Sequence, residues 1–568
     1  MSPHNPSDAR AVQAATSLAT SFVVRLAATR AAVPLDGRLI LILSPNGAGE
    51  PRQQVAWDAD AIPIFGVDVD GWRGGDSRSV DASAFGFPVR SLADVPPGRY
   101  RVQAVLNRYQ VFRRADGRVL KLPPDQGEGQ VWHKKPGNLY SESLDLAYDP
   151  KQGGTIELTL DQEIAPIPAF KETKYVRHVR IRSERLSAFW GRDVHLAAFV
   201  TLPWGFEEHP DARYPLVIDH GHFPAEPSNW RETPPDPDLA PEYSKRFKLE
   251  GYNRIQQQYA WQLYQDWIGK GFPRVLMVEI QHPTPFYDDS YAVNSANNGP
   301  YGDAIAYELI PEIERRFRGI GQGWARFMFG GSTGGWEALA VQMFYPDDYN
   351  GVWVACPDPL DFRHFTTVNI YQDKNAYFMP NRFKHTPRPA HRDGFGHVDT
   401  TVEDFNHCEY ALGTHGRSGD QHDAWESVFS PVGEDGYPRR IWDKVTGEID
   451  PVTAAYWKEH YDLSHILARD WQTLGPKLRG KLRIYVGGMD NYYLNNAVQE
   501  VEKLLRAADP PADAVVDYGH RDEHCWNGDH TRENAYSRLR YPQMVLPWVV
   551  ERILTTAPAG TDLRSWRY

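Results

Sequence analysis

Cysteine is the scarcest reactive residue in the chain: Cys356, Cys408 and Cys525 are the only three among 568 residues. Their number and scatter exclude a disulfide framework and a C-x-x-C metal site. Positive charge is also short. Against 74 Asp and Glu stand 62 Lys and Arg, a formal net charge of -12, which argues against a nucleic-acid or anionic-membrane partner. No apolar run reaches the length of a membrane span. The amino terminus, Met1-Ser-Pro-His-Asn-Pro6, lacks a basic segment, and Arg25 and Arg30 interrupt the apolar stretch that follows. The expectation is a chain without a visible signal peptide: cytoplasmic as it stands, periplasmic or secreted had a leader been removed.

Aromatic residues, by contrast, are plentiful. The 18 Trp and 29 Tyr, with 44 Pro and 46 Gly, suit β-sandwiches and long ordered loops; exposed rings would suit sugar or aryl ligands, although core packing accounts for most of them. At this length a single core is too small, and two or three domains are expected.

Residues 1–18 read as a leader. Between Ser21 and Leu160 short runs of period two alternate with turn residues, as in Phe22-Val-Val-Arg-Leu26, Arg38-Leu-Ile-Leu-Ile-Leu43 and Thr155-Ile-Glu-Leu-Thr-Leu160. This pattern predicts an N-terminal β-sandwich over 19–165. Asp68-Val-Asp-Gly71 has the start of a calcium loop but lacks the remaining ligands, so an ordinary turn is expected there. A proline-bearing linker follows. From 174 to 568 strands and helices alternate, which predicts a mostly parallel sheet with helices on both faces, an α/β class. A long irregular insertion, 357–477, sits where caps are placed.

The second unit is organised around Arg326-Phe-Met-Phe-Gly-Gly-Ser-Thr-Gly-Gly-Trp336. Apolar strand, glycine-flanked serine and helix form the context that a G-x-S-x-G nucleophile elbow requires. Side chains at Gly330 and Gly334 would collide with the neighbouring strand and helix. The turn would lift Ser332 clear of the sheet and present the Thr333 N–H to an oxyanion.

The chain order Ser, acid, His of α/β-hydrolases directs attention to two later loops. Asp490 follows a strand through Gly487-Gly488 and is the candidate acid; capping the next helix is its ordinary alternative. Asp358 is a reserve acid. The loop after the last strand, Gly519-His-Arg-Asp-Glu-His-Cys-Trp-Asn-Gly-Asp-His530, offers three bases. His524 has the reach, with Trp526 placed to pack on its ring; His520 is a reserve base and His530 the last. A metal reading of His520, His524 and His530 with Asp522 or Asp529 lacks a strict ligand spacing.

Asp219-His-Gly-His-Phe223 is where a second oxyanion donor is expected, the N–H of His222 or Phe223. Candidate pocket residues are His220, Asn294, Asn297, Tyr301, Trp336, Asp358 and Trp526. Seven histidines of the insertion (His364, His385, His391, His397, His407, His415, His422) invite a zinc site, but none has a metal-motif spacing. No metal and no cofactor are expected.

Three pieces together resemble the esterases related to esterase D, a group that includes enterochelin esterases and feruloyl or acetyl-xylan esterases. They are Asn298-Gly-Pro-Tyr-Gly-Asp303 with Glu308-Leu-Ile-Pro-Glu-Ile-Glu-Arg-Arg-Phe317, the elbow Gly330–Gly335, and His524-Cys-Trp526. The resemblance covers about 214–554. It implies an α/β-hydrolase fold and the roles of nucleophile, acid and base for Ser332, Asp490 and His524; the family's H-x-W places His524 ahead of His520. The long insertion and the His-Gly-His-Phe loop depart from its pattern. The function expected is cofactor-free hydrolysis of a small-molecule or oligomeric carboxylic ester. The rivals are amide or peptide hydrolysis, acyl transfer by the same triad, and a catalytically inert glycan-binding protein. Oligomeric state is unknown from sequence.

Overall fold

The computed structural model describes residues 20–568; the leader expected over 1–18 lies outside the described residues. Ten strands between Ser21 and Glu163 hydrogen-bond into one sheet. Its strand Leu35–Ser44 shows why the run Arg38-Leu-Ile-Leu-Ile-Leu43 is apolar at consecutive positions: both faces are covered. Leu39, Leu41 and Leu43 pack with Phe22, Trp72 and Leu106 on one side. Ile40 and Ile42 pack on the other with Phe87, Val105 and Trp132, joined by Ala411 and Leu412 of the helix Val402–Leu412. Asp68 is not in a turn. It lies within the strand Ile64–Trp72, where Arg38 and Arg417 pair with it, each at 3.3 Å.

The second unit is built on eight strands: β1 (Val176–Arg182), β2 (His195–Thr201), β3 (Leu216–His220), β4 (Leu276–Gln281), β5 (Arg326–Gly331), β6 (Val352–Ala355), β7 (Leu482–Gly487) and β8 (Ala514–Gly519). They lie in the order β1-β2-β4-β3-β5-β6-β7-β8. β1 pairs antiparallel with β2 and β2 antiparallel with β4, and every later pairing is parallel. This is the strand order of an α/β-hydrolase sheet. The inner strands carry unbroken apolar segments because helices cover both faces; Phe327, Met328 and Phe329 of β5 are wholly buried. Ligands of such sheets gather beyond the carboxyl ends of the strands, where the turns after β3, β5, β7 and β8 converge.

The segment 357–477 is far more regular than its sequence suggests. It holds the helices Val402–Leu412, Gln421–Phe429, Pro451–His460 and Leu463–Leu478. Aromatic side chains, not a leucine stripe, form its core: Phe365 meets Trp425, Trp442 and Trp457 edge-on. A helical pattern built on scattered Trp and Phe is hard to see in a hydropathy reading. The seven histidines are dispersed, His391 on Asp399 and His422 beside Glu409, for example. Among the described residues no helix is long and apolar enough to cross a membrane.

Buried arginines join the two units, Arg417 through Asp68 and the Lys121 carbonyl and Arg38 through a helix end. Arg38 donates from Nε to the Ala411 carbonyl at 3.1 Å and from Nη2 to that of Tyr410 at 2.9 Å, satisfying carbonyls that the end of a helix leaves open. A charged donor there also complements the helix dipole. Arg38→Met should lower stability by about 1.5–3 kcal/mol, the range for hydrogen bonds to charged groups. Denaturant unfolding checks it; an unchanged midpoint would show that the contact is energetically idle.

Candidate active site

Ser332 sits between β5 and the helix Thr333–Phe344 with φ 59° and ψ −125°, a conformation that costs a non-glycine residue energy and that its surroundings must impose. They do so through backbone hydrogen bonds, among them that of the Gly335 N–H to the Ser332 carbonyl at 2.9 Å. The Ser332 N–H donates to the Ala355 carbonyl at 3.0 Å, while its own carbonyl accepts from the N–H of Trp336 at 3.1 Å and of Asp358 at 3.2 Å. The flanking glycines are sterically obligatory. A Cβ on Gly334 would land on the His220 carbonyl oxygen of β3, and one on Gly330 would strike the Gly334 carbonyl. As the first residue of its helix, Thr333 carries an N–H with no intrahelical acceptor.

Asp490 and His524 meet across two loops: Nδ1 of His524 lies 2.8 Å from Oδ2 of Asp490. Both are buried, at 5 % and 0 % exposure. The other oxygen of Asp490 accepts from the N–H of Tyr492 at 2.9 Å and of Leu494 at 3.3 Å, in the turn before the helix Asn495–Ala507, whose N-cap is Leu494 and which no side chain caps. One carboxylate thus holds the turn that carries it and orients the imidazole. Burial disfavours a charged His524 ring, but the Cys525 side chain and the Asp490 carboxylate outweigh it and push its pKa up.

The Ser332 turn and the His524 ring are brought to the same stretch of chain. Residues 355 and 358 bond to Ser332, and the Cys356 thiol between them lies within 4.8 Å of a ring nitrogen of His524. His520 is exposed, and His530 is bound to Asp517 at 2.8 Å, so the loop histidines do not converge on a metal.

Several expected pocket residues are spent on the fold instead. Asn294 accepts from the Asp303 N–H at 3.0 Å, Asn297 donates to the Ser430 carbonyl at 2.8 Å, and the Tyr301 hydroxyl donates to the Pro283 carbonyl at 2.7 Å. Trp336 is wholly buried between Tyr291 and Phe429. Trp526, also buried, packs on Tyr485 and His530 and not on His524; the ring edge-on to His524 is that of Tyr492, 4.9 Å away. Asp358 is hydrogen-bonded elsewhere, not to His524. Its carboxylate accepts from the Tyr291 hydroxyl at 2.7 Å and the Thr333 hydroxyl at 3.1 Å.

Below the elbow lies a group of titratable side chains that sequence reasoning missed. Glu337, one turn into the helix, is wholly buried, with His220 Nδ1 at 3.2 Å and His282 Nε2 at 3.9 Å. Burial holds both histidines neutral, their pKa values lowered to about 3, and pushes the Glu337 carboxyl well above the usual range, with Asp288 and Asp358 adding to it and Asp289 and His222 opposing. The signal was present, a single charged residue in the elbow helix. His222, half-exposed, faces Asp288 at 3.2 Å and Asp289 at 3.4 Å. Asn491 and Tyr492, directly after Asp490, were missed too; the Asn491 side chain accepts the His524 N–H at 3.0 Å.

Glu337 generates a pH test. In the unfolded chain it ionises near an ordinary Glu pKa of about 4.3, whereas in the fold it stays protonated. Stability is therefore lost as pH rises above that value toward the folded pKa. Glu337→Gln, neutral in both states, should raise the melting temperature in mildly alkaline buffer, and the gain should fade under acidic conditions. A gain independent of pH would contradict the buried neutral acid.

No protein-family model matches this sequence, and no curated protein matches it. Solved structures do. A ferulic acid esterase is 15 % identical with a TM-score of 0.33, covering 66 % of this chain and 98 % of its own. An S-formylglutathione hydrolase from Agrobacterium tumefaciens is 12 % identical with a TM-score of 0.31, covering 67 % and 98 %. The fluorophosphonate-binding serine hydrolase F of Staphylococcus aureus is 15 % identical with a TM-score of 0.30, covering 66 % and 98 %.

Proposed function

We propose that this chain is a serine esterase that cleaves a carboxylic ester through a Ser-His-Asp triad and an acyl-enzyme. The observation that carries the reading is the buried Asp490–His524 hydrogen bond, together with a serine at positive φ held by the same segment, residues 355–358, that approaches the His524 ring. Ser332 attacks the acyl carbon as His524 takes its proton through the nitrogen not bound to Asp490. The tetrahedral oxyanion is held by the N–H of Thr333 and that of His222 or Phe223; losing one such donor costs about 3 kcal/mol of transition-state stabilisation. The imidazolium returns its proton to the leaving alkoxide. Water then repeats the sequence on the acyl-enzyme with the same base. Asp490 keeps the ring in one tautomer and stabilises its charged form.

The N-terminal strands serve as a β-sandwich domain over 19–165, and 357–477 caps the catalytic unit 174–568. Both border a cavity of about 490 Å³ that reaches the oxyanion loop. Trp57, Trp132 and His133 line it from the first unit, Leu412 and Asp420 from the cap, and His222 and Tyr287 from beside the elbow. Two indoles in its wall suit an aryl or cyclic group better than a long alkyl chain.

Hydrolysis of p-nitrophenyl acetate and a feruloyl ester tests both parts. Ser332→Ala and His524→Ala should each lower kcat by roughly 10^4–10^6-fold, the scale on which triad members act, while His520→Ala stays near wild type. Activity surviving Ser332→Ala would refute the mechanism. Trp57→Ala should raise KM for the feruloyl ester by about 2- to 12-fold, equivalent to an aromatic contact of about 0.5–1.5 kcal/mol, and leave the acetate unchanged. Equal effects on the two esters would remove the aryl pocket.

A further inference from the structure

Two of the three cysteines, far apart in sequence, meet at the candidate base. Cys356 follows β6, and Cys525 follows His524 directly. The two sulfurs and a ring nitrogen of His524 all lie within 4.8 Å of one another, and both thiols are free. The backbone builds this meeting at a cost. Cys356 and Cys525 have φ values of 39° and 69°, in a region that non-glycine residues visit rarely. Cys356 is pinned by its N–H to the Tyr485 carbonyl at 2.6 Å, and the Cys525 carbonyl accepts from the Tyr541 hydroxyl at 3.4 Å.

Two thiols and an imidazole are the donor set of a borderline-soft divalent cation and a poor one for magnesium or calcium. The His524 nitrogen on Asp490 completes the pattern, because a metal-bound histidine ordinarily gives its other nitrogen to a carboxylate. Asp490 at 2.8 Å already occupies Nδ1 and leaves Nε2 for the metal. Cys525 also lines a cavity of about 270 Å³, together with Gly331, His222 and Tyr541. That space can hold a water as fourth ligand, which a tetrahedral ion with three protein ligands requires.

We propose that Cys356, Cys525 and His524 form an inhibitory site for a zinc-class cation. Binding exchanges the two thiol protons, released to solvent, for two metal–sulfur bonds, and the imidazole lone pair makes the third. No electron changes hands. The inhibition rests on His524 being the base, as proposed above, because the metal takes the lone pair that would accept the Ser332 proton. The binding itself does not rest on that reading.

Cobalt(II), whose thiolate complexes absorb in the near ultraviolet, is the probe. Titrated into the reduced protein and into Ser332→Ala, it should give a thiolate-to-cobalt band saturating at one equivalent in both. Zinc should abolish the band and raise the melting temperature. The band should be lost in Cys356→Ser and in Cys525→Ser, and Asp490→Asn should weaken cobalt binding by about 10–100-fold, as loss of an outer-shell partner does. In the wild type, zinc should suppress ester hydrolysis and a chelator restore it. Absence of the band from reduced wild type, or its persistence in Cys525→Ser, would overturn the site, even were Cys356→Ser not to fold. A band with no inhibition in an enzyme that needs His524 would overturn the inhibitory role and leave the esterase reading standing.

Discussion

The close approach of the elbow helix to β3 is the constraint on which the carboxyl edge of the sheet depends. With no Cβ at Gly334, the helix Thr333–Phe344 lies against the His220 carbonyl, and Ser332 at positive φ makes the tight connection from β5 to it. The same proximity sets the oxyanion loop, since His220 ends β3 and Gly221-His222-Phe223 begins where the helix starts. The proposed nucleophile and its two prospective amide donors are therefore set by packing of secondary structure, which holds geometry more tightly than loop contacts do.

That packing leaves polar groups to be accommodated beneath the site. Glu337 points from the helix toward His220 and His282, and a charged carboxylate there would carry a heavy desolvation cost. Neutrality of all three side chains resolves the cost, whereas His222, facing Asp288 and Asp289 closer to solvent, has its pKa raised by those carboxylates against the effect of burial.

Local signals in the sequence are those that survived. Gly330, Ser332 and Gly334 are explicit because each answers a backbone requirement, and Asp490 and His524 are readable from the glycine turn and the loop that carry them. The strands β2 to β8 were visible as largely apolar segments of the right length, and β1 as Val and Ile alternating with Arg. What could not be read is convergence: that Asp490 holds both its own turn and the His524 ring, that Cys356 meets Cys525, or that Tyr492 and not Trp526 lies against His524. Asn294, Asn297 and Tyr301 have the chemistry of a binding loop, yet their polar atoms answer backbone groups 9, 133 and 18 positions away. The cap helices escaped because their buried faces are carried by scattered Trp and Phe.

The most direct measurement is covalent. Wild type and His524→Ala would be treated with a fluorophosphonate, and the modified residue located by peptide mass spectrometry. The account predicts one adduct, on Ser332, formed rapidly in the wild type and at a small fraction of that rate without His524. An enzyme that hydrolyses esters while Ser332 stays unmodified, or is modified equally fast without His524, would contradict it.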